Sequence, residues 1–128
     1  MNRPLSLTLI DLKTMFFTLS EWRDAHLPEE KHDPVEKLVR GKILTALDTL
    51  QPESLDAGEL SKEIQTEIAE LLYLLIMTCG DLIRKMQKEN IGPPPPEVLS
   101  KQDAIQLSRD TFALVRALQK GEYHASQI

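Results

Sequence analysis

Three carboxylates, Glu63, Glu67 and Glu70, are spaced by four and then three residues. On a helix that spacing places them on one side. A hard cation such as magnesium needs several such oxygens converging at once. Without that convergence the same residues form the solvated face of an amphipathic helix. A second group lies in one loop: His26, Glu29, Glu30, His32 and Asp33. Imidazole together with carboxylate suits zinc or a related divalent ion. The two histidines are not one helical turn apart, and no His-Glu-x-x-His pattern is present. The expected role of this segment is a charged, solvated loop. The single cysteine, Cys79, is flanked by Met77, Thr78 and Gly80. Apolar surroundings raise a thiol pKa and make the group inert, so a core cysteine is expected. One cysteine also excludes an intramolecular disulfide and a multi-cysteine zinc site. His124 has no acid or base neighbour in sequence. The five glycines are isolated from one another, so there is no glycine-rich phosphate loop. No catalytic residue, metal or cofactor is assigned.

The run Glu67-Ile68-Ala69-Glu70 followed by Leu71 to Leu75 resembles half of the magnesium site of the MazG-type all-helical nucleotide pyrophosphohydrolases. Members of that family hold the ion with a Glu-x-x-Glu and a later Glu-x-x-Asp. The resemblance covers about a dozen residues and implies nucleotide pyrophosphate hydrolysis. The second acidic pair has no counterpart here. Downstream of Glu70 come Asp81 and then Glu89.

Basic residues form three groups. Arg84, Lys85 and Lys88 lie close together, as do Lys37, Arg40 and Lys42. Arg109, Arg116 and Lys120 follow at intervals of seven and four. Such groups can track a phosphate backbone. The net charge of −5 disfavours a free-standing nucleic-acid binder. Contact through Arg84, Lys85, Lys88, Arg109, Arg116 and Lys120 within a larger complex remains a candidate. Aromatic interleaving for base stacking is absent. The 84–88 group also stands where a helix C-terminus favours positive charge.

The elements that must position these groups are helices. Aromatic residues make up only 5% of the chain, so the core must be mostly Leu and Ile. Thr8, with Asp11 three residues on, is expected to cap a first helix with core residues Leu9, Leu12, Phe16, Leu19 and Trp22. Asp33 caps a second helix, with Pro34 at its first position and Glu36 closing a capping box. Its apolar stripe is Val35, Leu38, Val39, Ile43, Ala46, Leu47 and Leu50. Asp56 and Glu59 are expected to cap a long third helix over about 57–89, flanked by Leu55 and Leu60 as a staple. Its middle, Leu71 to Cys79, is apolar on every side and is expected to be wrapped by this chain or by others. Gly80 lies inside it as a candidate kink. Pro93 to Pro96 form a stiff polyproline spacer. Ser100 and Asp103 then open a fourth helix carrying Ala104, Ile105, Leu107, Phe112, Leu114, Val115 and Leu118, ended by Lys120-Gly121.

The sequence thus predicts an all-α, four-helix up-down bundle over 1–121 with a flexible tail over 122–128. A third helix twice the length of its neighbours leaves one end uncovered. Met77, Leu82, Ile83 and Met86 are therefore the expected contact residues for another protein chain or a second copy. The leading expectation is a non-enzymatic assembly subunit of a protein or nucleoprotein complex. In size and all-helical content the chain is similar, at the level of architecture alone, to the small helical subunit of CRISPR effector complexes. The apolar run Leu71 to Gly80 is about half a membrane span, and Met1 to Leu12 has no secretory pattern. A cytoplasmic protein with no membrane partner is expected.

Overall fold

The computed structural model describes residues 4–51, 55, 60–92, 94 and 101–123. Among them are four packed α-helices and no strand: α1 (Leu5–His26), α2 (Pro34–Thr49), α3 (Lys62–Lys88) and α4 (Lys101–Gln119). A short 3-10 turn, Glu29–Lys31, joins α1 to α2. The fold is all-α, as the stripes predict.

Several boundaries follow the chemistry read from the sequence. Asp33 accepts a hydrogen bond from the Val35 amide at 2.9 Å, with Pro34 next to it as the first residue of α2. α3 ends in a left-handed cap at Asn90 (φ 59°), with the Ile91 amide donating to the Met86 carbonyl at 2.9 Å. α4 ends the same way at Gly121 (φ 67°), where the Glu122 amide donates to Ala117 at 2.9 Å. A Cβ on Gly121 would stand 3.0 Å from Lys62 Cγ, so both the backbone angle and the space favour glycine there.

Other boundaries differ. α1 begins one turn earlier than expected. Thr8 is fully buried inside it and donates its hydroxyl to the Pro4 carbonyl at 3.0 Å. The reason is Leu5, which joins the core and draws the first turn with it. α3 begins at Lys62 because Ser61 supplies the cap, accepting from the Ile64 amide at 3.2 Å. Asp56, Glu59, Ser100 and all of the polyproline run but Pro94 lie outside the described residues.

These shifts remove the length mismatch. α3 has 27 residues and α1 has 22, or about 40 Å against about 33 Å. At the other end the last turn of α1 stands beside the last turn of α3, where Arg23 pairs with Glu89 and Trp22 Nε1 donates to the Gly92 carbonyl. Leu82 and Met86, expected on an uncovered tip, are 2% and 3% exposed and belong to the core. α3 lies against both α1 and α4, whereas α2 touches the others mainly along α1. One polar side chain closes one end: Gln65 Nε2 donates to the Leu60 carbonyl, and Gln65 Oε1 accepts from the Tyr123 amide at 3.1 Å. Tyr123 is buried, so the core extends past Gly121 into what reads as tail. Residues 124–128 lie outside the described residues.

α3 is one continuous helix through Gly80. A Cβ there would meet only Arg84 Nη1, at 3.6 Å, an ordinary contact. Gly80→Ala is expected to stabilise the fold by about 0.5–1 kcal/mol, because alanine reduces the freedom of the unfolded chain at no steric cost. Urea denaturation checks this, and a lower midpoint would mean the glycine serves a close approach.

Candidate interaction surface

The middle of α3 is apolar all round in sequence but not buried all round. Leu72, Leu75 and Cys79 are buried, while Tyr73, Leu74 and Met77 stand nearly half exposed. Ile83 is also exposed. Of the four expected contact residues, Met77 and Ile83 face outward, and Leu82 and Met86 do not. This chain covers only one side of the run.

A second apolar surface, more exposed residue by residue, lies on α2. Its predicted core stripe splits in two. Ile43 and Leu47 enter the core, but Val35, Leu38 and Val39 are 67%, 60% and 49% exposed. The cause is what holds α2. Arg23, buried on α1, reaches across with Nη1 to Glu36 Oε1, and with Nε and Nη2 to both oxygens of Glu89 at 2.7 and 2.8 Å. Glu36 therefore turns inward instead of closing a box with Asp33, and its other oxygen lies 3.7 Å from Lys85 Nζ. Arg40 points the same way and donates Nη2 to both oxygens of Asp24 at 3.1 and 3.2 Å. Lys13 pairs with Asp48 further along. The ion-paired side of α2 faces α1, and the Val35–Val39 ridge turns to solvent. The Nε and Nη1 atoms of Arg40 are buried with no partner among the described residues, which costs about 1–3 kcal/mol.

The sequence pattern missed these buried charges because it assigns arginines to the surface. The one available signal was position: Arg40 lies three residues before Ile43 and seven before Leu47, on the core side of the wheel.

The other candidates fall out as follows. Glu63, Glu67 and Glu70 are all exposed. Among the described residues, no group of three or more His, Cys, Asp or Glu side chains gathers where a metal could sit. His26 Nδ1 lies 2.8 Å from the Trp22 carbonyl, its ring stacked on Trp22 at 4.3 Å, and His32 Nε2 lies 2.9 Å from the Leu27 carbonyl. Both rings serve the local backbone. Arg84, Lys88, Arg109, Arg116 and Lys120 are exposed, while Lys85 divides itself between Glu36 and Asp81. Gly121 touches Lys62, the first residue of α3, and Lys88 is its last. Lys120 and Lys88 thus mark opposite ends, about 40 Å apart. On α4, Ile105 and Phe112 are exposed rather than core, and the fully buried Thr111 takes the inner position, donating to Leu107 at 2.7 Å.

Comparison with known protein families, with characterised proteins and with solved structures finds no match to this chain. Among the described residues, no helix is long and apolar enough to cross a membrane.

Two measurements check these environments. Burial pushes the Cys79 thiol up to about 12, so native labelling is expected to be slow and labelling in denaturant fast. Fast native labelling would place Cys79 outside the core. The Arg23 guanidinium holds Glu89 below the ordinary carboxylate range. A depressed folded-state pKa means the unfolded chain binds the proton first, so stability falls as pH drops below about 4.5. Arg23→Met is expected to cost about 3 kcal/mol at neutral pH, the low end for a broken buried pair because both carboxylates keep some water. It should also flatten the acid limb of the stability curve, and an unchanged limb would assign that titration elsewhere.

Proposed function

We propose that this chain is a non-enzymatic assembly subunit of a larger protein or nucleoprotein complex, built as an up-down bundle that carries an exposed docking helix. Helix direction is supported at both ends. Arg23 and Glu89 join the C-terminal ends of α1 and α3, Glu36 and Lys85 bring the start of α2 to the end of α3, and Tyr123 returns to Gln65. The observation that carries the function is the α2 ridge. Val35, Leu38 and Val39 sit within two turns, all about half exposed or more, on a helix oriented by ion pairs on its other side. Contiguous apolar patches of this kind mark interaction sites on soluble proteins. The exposed row Arg109, Arg116 and Lys120 on α4 suits a phosphate backbone where the complex includes nucleic acid. Support for a non-enzymatic role comes from the candidate groups themselves. Cys79 is sealed in the core, His26 and His32 are bound to backbone carbonyls, and Glu63, Glu67 and Glu70 of α3 stand in solvent.

The test is a tagged chain purified from its native host beside the variant Val35→Thr, Leu38→Gln, Val39→Thr. The expected result is loss of the associated chains by the variant, with unchanged helicity and melting temperature. Retention of the same chains would overturn the α2 surface. A melting temperature raised by a nucleoside triphosphate with magnesium would instead support the pyrophosphohydrolase reading.

A further inference from the structure

We propose that the occupant of the α2 ridge is α3 of a second copy of this chain, in a head-to-tail contact. The inference rests on the assembly reading above and names the partner for the same surface. Two exposed seams on this molecule match each other. On α2, Val35, Leu38, Lys42, Thr45 and Thr49 are all exposed and spaced by three, four, three and four. On α3, Met77, Leu74, Glu70, Glu67 and Glu63 are all exposed and carry the same spacing in reverse. That alternation of three and four is the seam one helix offers another.

Antiparallel pairing in one register sets Val35 against Met77 and Leu38 against Leu74. The next step sets Lys42 against Glu70, and the last two set Thr45 against Glu67 and Thr49 against Glu63. Apolar meets apolar at one end. The single cation of the α2 seam meets a carboxylate, and Glu67 and Glu63 stay hydrated beside Thr45 and Thr49, whose hydroxyls donate to the Gly41 and Thr45 carbonyls. Slipping the register by one step in either direction loses an apolar pair or the Lys42–Glu70 pair. The face of α3 that this chain leaves uncovered thus has the chemistry that the ridge of α2 requires.

The contact joins different copies at different heights. Within one chain Glu36 lies beside Lys85, so Val35 stands about nine residues, or roughly 13 Å, along the axis from the level of Met77. A two-fold axis along the bundle would repeat that internal height and cannot give the matched register. Each copy therefore offers α2 to one neighbour and α3 to the next, and the repeated axial shift makes the assembly an open chain. A seam from residue 35 to 49 is about 20 Å long. A contact that short belongs with the small, transient class, so a dissociation constant on the order of 10–100 μM is expected.

Analytical ultracentrifugation of the purified chain tests this. The average mass is expected to rise above 14.5 kDa as concentration increases, and to rise less in high salt, where the Lys42–Glu70 pair is screened. Leu38→Gln should abolish the rise. Lys42→Glu and Glu70→Lys, both exposed and each checked for helicity, should weaken it severalfold singly, and mixing the two variants should restore it. A chain that stays monomeric up to about 1 mM overturns the proposal. So does a rise that these substitutions leave unchanged, or a mixture that stays dissociated. If the chain alone is monomeric while the α2 variant still loses its partners from the native host, this proposal fails and the assembly reading stands.

Discussion

One buried guanidinium sets the frame of this molecule. Arg23 is cut off from water, so its charge must be met by carboxylates held at fixed points. Glu89, just past the last turn of α3, supplies a two-point contact, and Glu36, in the first turn of α2, supplies the third. Those contacts bring the ends of α1 and α3 and the beginning of α2 to one level. Once that level is set, Phe16, Leu72, Leu75 and Leu82 can interlock along α1 and α3, and Trp22 Nε1 can reach the Gly92 carbonyl at 2.8 Å. The Arg23 group gains from the arrangement as well. Glu89 and Glu36 drive its pKa upward, and it remains charged across the whole accessible range.

The core divides the helices into two kinds. α1, α3 and α4 share an apolar interior of Leu, Ile, Met and Phe, sealed at one end by Gln65 and Tyr123. α2 contributes Ile43 and Leu47, with Leu44 and Leu50 partly buried against the core, and the rest of its attachment is paired charges. That difference explains why α2 keeps an apolar ridge on its surface. Ion pairs orient a helix without covering it, whereas packing would have buried whichever stripe is most apolar. The stripe of α2 broad enough to serve two purposes, core and surface, is what the sequence read as one.

Much of the fold was legible because caps and stops act locally. Asp33 and Gly121 do what their residue types require, and the apolar spacing of α3 and α4 finds most of the core. What the sequence could not supply was the balance between helices. Thr8 looks like a cap and is a buried threonine satisfied by Pro4, because Leu5 has a core to join. Glu36 looks like half of a capping box, but a buried arginine thirteen residues away in sequence outcompetes the local amide. The alignment of the C-terminal ends of α1 and α3, fixed by Arg23 and Glu89, puts Leu82 and Met86 in the core and leaves Met77 and Ile83 outside. The candidate surface on α2 was invisible for the complementary reason: a regular stripe announces a buried face, and nothing local says that only its second half has a neighbour.

The way α2 is fastened also sets the order in which the structure comes apart. A helix bound by few apolar contacts and several ion pairs lies at the low end of local stability. Its backbone amides should therefore open to solvent in a sub-global event of their own, well before those of α1, α3 and α4, which open only when the whole interior does. Ionic strength acts mainly on that first event, because the pairs of Lys13 and Lys85 are partly solvated. The molecule is in this sense a three-helix foldon with a fourth helix clipped to its side.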